Sequence, residues 1–226
     1  MTGRDWGSKR STERYGTTLK ETSAPEIEEP SARQREVLDA ALRLLIRDGG
    51  RLTMSAVAAA ANCSKETLYK WFGDRDGLLS AIVKSQAGQV RVATAPETLD
   101  RAALTEILAQ FAGDWLRVVA GDTSLALNRL AIGHAGKDNV DLGAIVLDNG
   151  RFALGQRLKP VLEAAQRAGL IKFENSEEAF RTFFGLVARD AHIRLLLGEK
   201  LKLDRAAIAR EAERAADQFL KLYALK

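Results

Sequence analysis

The sequence predicts an all-α protein: an N-terminal helix-turn-helix unit followed by a larger body of helices. Three observations predict this. Alanine and leucine outnumber the β-branched residues, and aromatics make up only 6% of the 226 residues, a composition that favours helix over strand. Four prolines in the whole chain leave room for long helices. From residue 31 onward, apolar side chains recur at helical spacing between capping residues and glycines.

Residues 1–30 read as a disordered leader. Gly, Ser, Thr, Pro and charge prevail there without an apolar face, too little to offset the entropy of ordering. Helical period starts at Ser31, with Val37, Ala41, Leu44 and Leu45 beside Leu38 and Leu42 on one face, and Asp48-Gly49-Gly50 stops it. Thr53 caps a short apolar segment from Met54 to Ala61. Asn62-Cys63-Ser64 breaks that segment, because Asn tolerates positive φ and Ser64 caps the next helix. This second short helix runs Lys65 to Phe72 and ends at Gly73-Asp74. A third starts near Asp76 and passes through Leu78, Leu79, Ile82, Val83 and Val90 to about 94. Two short helices across a tight turn form a helix-turn-helix.

Beyond Pro96, helices are expected near 97–119, 123–134, 140–168, 176–197 and 204–224. Ser176 and Asp204 serve as N-caps, Gly169 and Gly198 as stops, and Pro160 is expected to kink or divide the third. The expected domains are 1–30 (leader), 31–94 (helix-turn-helix) and 97–226 (helical body).

Composition excludes several function classes. The single cysteine, Cys63, closes no internal disulfide, and with two histidines, His134 and His192, the usual structural zinc sets are missing. No metal or cofactor is expected. No apolar run approaches the roughly 18 residues of a membrane span, and the start lacks a signal-peptide pattern, so the expected location is the cytoplasm. No catalytic triad, phosphate loop or carboxylate pair is present, so an enzyme is not expected. Cys63 reads as a packed thiol rather than a redox sensor, and Asp190 with His192 as structural or pocket-lining rather than metal-binding.

The segment LTMSAVAAAANCSKETLYKWFGDRDGLLSAIV (52–83) resembles the DNA-binding unit of the TetR/AcrR family of bacterial regulators. Thr53, Val57, Ala58, Ala61, Ser64, Thr67, Leu68, Tyr69, Phe72, Arg75, Leu78 and Leu79 fall on that family's pattern without a gap. Asn62 stands where the family has its turn glycine, Cys63 where valine is usual, and Glu66 where the residue is commonly small. The resemblance implies a recognition helix in the major groove of operator DNA. Lys65 and Glu66 then face base edges, Thr67 a thymine methyl, and Tyr69, Lys70, Trp71, Arg75 and Thr53 the phosphates, with Ser64 at the helix start.

Charge adds modest support. Residues 31–85 hold nine basic and six acidic groups, so affinity rests on where Arg33, Arg35, Lys65, Lys70 and Arg75 sit. The leader, with five basic and two acidic groups in residues 1–20, is either a solvated tail or an arm that touches DNA.

The stretch SEEAFRTFFGLVARDAHIRLLLGE (176–199) resembles the C-terminal region of the AefR-like subgroup. That implies a homodimer joined through the last two helices. Phe180, Phe183, Val187, Ile208, Ala212, Ala215 and Phe219 form two apolar stripes at helical spacing, read as the interface because they are broad, the alternative being internal core of one subunit. It also implies an effector cavity in the body, for which Phe111, Trp115, His134, Phe152, Phe184 and His192 are the candidate lining, the alternative being that these side chains are filled core. The expected function is a repressor released from its operator by a small, largely apolar or aromatic molecule. The alternatives are a DNA-binding architectural or recruiting factor without a ligand and, further off, a helical-bundle enzyme.

Overall fold

In the computed structural model, which describes residues 30–48, 51–135 and 142–225, helix α1 (Ala32–Arg47) opens on a capping box. Ser31 Oγ accepts from the Gln34 N–H at 3.2 Å, and the Gln34 side chain accepts from the Ser31 N–H at 2.8 Å, which satisfies two otherwise orphaned donors. The predicted leader and the Gly49-Gly50 stop lie outside the described residues. Helix α2 (Met54–Ala60) starts on Thr53, whose hydroxyl accepts from the Ala56 N–H. Asn62 then turns at φ 49°, the left-handed conformation its short polar side chain permits.

Helix α3 (Lys65–Phe72) is capped by Ser64 and stopped by Gly73 at φ 76°. Helix α4 (Arg75–Gly88) starts on Asp74, whose carboxylate accepts from the Gly77 N–H at 2.8 Å. Only glycine fits at 77, because an added Cβ would fall 1.9 Å from the Phe72 carbonyl oxygen.

The remaining helices are α5 (Arg101–Val119), α6 (Asp122–His134), α7 (Leu142–Val146), α8 (Ala153–Arg167), α9 (Ser176–Ala188), α10 (Ala191–Leu196) and α11 (Arg205–Tyr223), with a π-helical turn, Leu147–Phe152, between α7 and α8. No strand occurs among the described residues, so the fold is all-α as expected.

Four boundaries differ from expectation, each for a physical reason. Helix α4 ends at Gly88 instead of running to 94. Arg157 donates to the carbonyls of Ala87 (2.7 Å) and Val90 (3.2 Å), a C-terminal cap from a distant helix that leaves no local signature. Helix α5 starts later than 97 because Asp100 caps it, accepting from the Ala103 N–H at 2.8 Å. The expected 140–168 helix stays helical from Leu142 to Arg167 but widens into the π-turn at Leu147–Phe152, and Pro160 does not divide it, sitting inside continuous α8. Asn149 Nδ2 donates to the Ile145 carbonyl there at 2.9 Å, satisfying an acceptor four residues back. The expected 176–197 helix divides at Arg189, which adopts φ 44° without being glycine.

Buried side chains form two clusters. The first joins α1, α2, α3 and α4 to Leu127 and Ala131 of α6 and Leu142 of α7. The second is built from α5, α8, α9 and α11. Gly155 of α8 lets α9 approach, since a Cβ there would fall 2.9 Å from a Phe180 ring carbon.

The second cluster corrects the expected dimer residues. Phe180, Phe183, Ala215 and Phe219 are fully buried within the single chain, and Val187, Ile208 and Ala212 nearly so. Phe183 packs on Phe111 at 6.0 Å and on Phe219 at 5.2 Å between ring centroids. These stripes are broad because each meets two or more neighbouring helices in its own subunit. Phe180, Phe183, Ala215 and Phe219 are internal core, while Ile208 and Ala212 also reach the floor of an open groove between α5 and α11.

Candidate nucleic-acid interface and ligand cavity

The turn between α2 and α3 is held from outside itself. Arg33 Nη2 donates to the carbonyls of Ala61 (2.6 Å) and Asn62 (3.0 Å), while Nη1 reaches Glu36 at 2.6 Å. The charge pattern makes Arg33 an expected source of DNA affinity. The structure makes it a clamp on the end of α2, where a cation also answers the helix dipole.

Helix α3 turns Leu68 fully inward and leaves Lys65, Glu66, Tyr69 and Lys70 on its outer face. Tyr69 is 53% exposed, so it is not a packing aromatic. Ser64 Oγ accepts from the Thr67 N–H at 3.1 Å and sits 3.0 Å from the Thr67 hydroxyl; Thr67 is half-buried as a result. Hydrogen bonds from its own backbone N–H and then from the Ser64 hydroxyl hold the Glu66 carboxyl below its ordinary range. In the free protein that carboxylate lies on the positive end of α3. Thr53 is exposed, and capping through its oxygen leaves its hydroxyl proton to donate elsewhere.

Two of the predicted phosphate contacts take scaffold positions. Trp71 is half-buried, edge-on to Phe72 at 6.1 Å. Arg75 donates through Nε to the Leu52 carbonyl at 3.0 Å, tying the start of α4 to the stretch of chain that enters α2. Tyr69, Lys70 and the α3 N-terminus therefore form the outward-facing group.

A cavity of about 230 Å³ lies where α4 crosses the helical body. Its walls come from α4 (Val83, Gln86, Ala87), α5 (Trp115, Val118, Val119), α6 (Ser124, Leu127, Asn128), the π-turn (Leu147, Gly150, Arg151), Leu154, Phe184 and His192. Three of the six predicted lining residues, Trp115, Phe184 and His192, are brought together here, with the Trp115 and Phe184 rings 4.3 Å apart. Phe111 is instead filled core, 1% exposed. Phe152 points outward, 45% exposed, because the π-turn places Leu147, Gly150 and Arg151 on the cavity instead. The His134 side chain lies outside the described part of the structure.

Asn128, Gln86 and Arg151 carry no local sequence signal for the cavity; only the π-turn and the crossing of α4 over the body bring them together. A larger groove of about 870 Å³ between residues 88–99 and α8 is open, and its Arg91 and Arg157 are already engaged on Asp114 and on backbone carbonyls.

His192 and Asp114 are the ionisable groups that burial makes informative. Among the described residues, His192 Nε2 is buried with no hydrogen-bond partner, and burial pushes the imidazole below its ordinary value, so it is neutral at pH 7. Asp114 is 1% exposed. It accepts from the Arg91 N–H (3.1 Å) and Nε (2.9 Å), from Arg117 Nη1 (2.6 Å) and from Gln110 (2.8 Å). Burial alone pushes its carboxyl up, but these donors outweigh it and lower it from 3.8 to about 2. The carboxylate thereby pins the segment after α4 to α5.

Comparison with known proteins fits this architecture. Residues 106–225 match the AefR-like transcriptional repressor C-terminal domain, and residues 37–82 match the tetR family of bacterial regulatory proteins. A TetR transcriptional regulator of known structure from Agrobacterium tumefaciens is 47% identical, with a TM-score of 0.71 over 87% of this chain and 97% of that one. The flavonoid-responsive regulator FrrA is 28% identical, with a TM-score of 0.64 over 86% of this chain and 98% of that one. An uncharacterized HTH-type transcriptional regulator from Mycobacterium tuberculosis is 36% identical over 84 residues, 37% of this chain. The chain spans 33% of the length of the curated relatives it matches.

Proposed function

The chain belongs to the TetR family of bacterial transcriptional regulators, and from that premise we propose that it represses transcription by binding an operator as a homodimer and leaves it when a small molecule fills the 230 Å³ cavity. Residues 31–94 serve as the DNA-binding domain and 97–226 as the effector and dimerisation domain. Lys65, Glu66 and Thr67 read bases; Thr53, Tyr69 and Lys70 hold phosphates; Ser64, Trp71 and Arg75 fix the shape of the DNA-reading unit.

One observation carries this reading. Helix α4 belongs to both parts: Leu78 and Leu79 pack in the core beneath the DNA-reading unit, while Val83, Gln86 and Ala87 form a wall of the cavity. A ligand that spreads that wall moves the DNA-binding unit with it. A tenfold preference for the DNA-incompetent arrangement shifts the equilibrium by about 1.4 kcal/mol. The aromatic wall favours an apolar or aromatic effector, in keeping with the flavonoid response in the name of one relative.

The dimer assignment moves from the buried stripes to the opposite faces of the same helices. Gly185 of α9 has open space where a side chain would stand, and Leu222 of α11 is 65% exposed. Gly185 leaves room for close approach on α9, and Leu222 adds an exposed apolar side chain on α11 for a second copy.

Separating base reading from phosphate holding tests the interface. Lys70→Ala is expected to weaken all DNA sequences alike and reduce the slope of log affinity against log salt by about one unit. Glu66→Ala is expected to relax base preference at one position and leave the slope unchanged. If Lys70→Ala altered the preferred sequence and kept the full slope, the division of roles would be wrong.

A further inference from the structure

We propose that the cavity takes a small, uncharged, planar aromatic molecule carrying a hydroxyl group, anchored by a hydrogen bond to His192 Nε2. This rests on reading the cavity as the effector site and adds the chemical class and the anchor. At about 230 Å³ the space is smaller than the roughly 300–1,000 Å³ of sites for drug-sized ligands, so one or two fused rings fill it. Trp115 and Phe184, packed on each other at 4.3 Å between centroids and tilted by 56°, line the space with aromatic surface against which a flat ring packs.

The polar side of the wall decides the rest. Arg151 is the cation on the cavity's lining, stacked among rings and sharing one carboxylate with a second cation. Its guanidinium carbon lies 5.3, 5.5 and 5.4 Å from the ring centroids of Phe152, Phe180 and Phe184, and it pairs with Glu177 at 3.7 Å. Lys159 reaches the same Glu177 at 3.2 Å. Apart from Arg151 the polar side chains on the wall are neutral, Gln86, Ser124, Asn128 and His192, in an otherwise apolar lining. A carboxylate would therefore lose its hydration on entering, a cost that a hydroxyl does not carry. The buried His192 Nε2, by contrast, lacks a partner, which costs free energy that a ligand group recovers. A hydroxyl suits either tautomer of a neutral imidazole: it donates to a bare Nε2 and accepts from a protonated one.

Three probes that share one skeleton separate the alternatives: naphthalene, 2-naphthol and 2-naphthoate, titrated by calorimetry into the purified full chain without DNA. The expected order puts 2-naphthol about tenfold tighter than naphthalene, the worth of one buried hydrogen bond, with 2-naphthoate weakest. In His192→Leu the advantage of the hydroxyl disappears. In His192→Gln, whose amide also donates and accepts, part of it returns, which guards against a general disturbance of the fold. Equal binding of naphthalene and 2-naphthol, tightest binding of 2-naphthoate, a hydroxyl advantage that survives His192→Leu, or no binding by any probe would each overturn the proposal. Because DNA is absent, binding as expected without operator release would count against the repressor mechanism and leave this assignment standing.

Discussion

Phe219→Glu is expected to unfold the protein, not to release a folded monomer. The Phe219 ring is fully buried in one chain, 5.2 Å from Phe183 and 4.7 Å from Tyr223 between centroids. Losing a buried phenylalanine costs about 3–5 kcal/mol, and stranding an unpaired carboxylate in its place adds several more. The sum rivals the whole stability of an ordinary domain, about 5–15 kcal/mol. Far-UV circular dichroism should show most of the helix signal lost at room temperature. Leu222→Glu on the exposed face of the same helix should keep that signal and weaken the dimer in light scattering. A helical, cooperatively melting Phe219→Glu monomer would return the interface to the buried stripe.

Asp114→Asn should cost about 2 kcal/mol at neutral pH, the free energy that the lowered carboxyl stores. This is below the roughly 3–5 kcal/mol of a severed buried ion pair, because Arg91 and Arg117 stay 70% and 57% exposed and remain hydrated. The sign fixes the pH window. A carboxyl lowered from 3.8 to about 2 by folding stabilises the fold fully above its unfolded value and loses that contribution as pH falls toward the folded one. The gap between wild type and Asp114→Asn in denaturant melts should therefore be open at about pH 7 and nearly closed near pH 2. A gap that stayed constant across this range would mean that the charge of Asp114 does not carry the effect.

The DNA-reading unit was legible in the sequence because its signals are local. Thr53, Ser64 and Gly73 cap or stop helices within one turn of themselves, and Asn62 meets its positive φ through its own side chain. What could not be read depends on residues far apart in the chain. Arg157 ends α4 from about 70 residues away, Arg33 clamps a turn 28 residues on, and Asp114 gathers Arg91 from 23 residues back. Phe111 and Trp115 lie one turn apart on α5 and look alike in sequence. One fills core and the other borders a cavity, a difference set by the neighbours each meets. The same ambiguity misplaced the dimer residues: an apolar stripe records burial, not which chain provides the cover.

Selection from a random pool of duplex DNA by the purified full chain tests the central claim most directly, since operator reading by a symmetric pair underlies everything else proposed. The expected outcome is a pseudo-palindrome whose half-sites are about one helical turn apart or slightly more, lost when Lys70 and Tyr69 are both replaced by alanine. Recovery of sequences with no shared pattern, or of a single half-site without its mate, would contradict a dimeric operator-binding repressor.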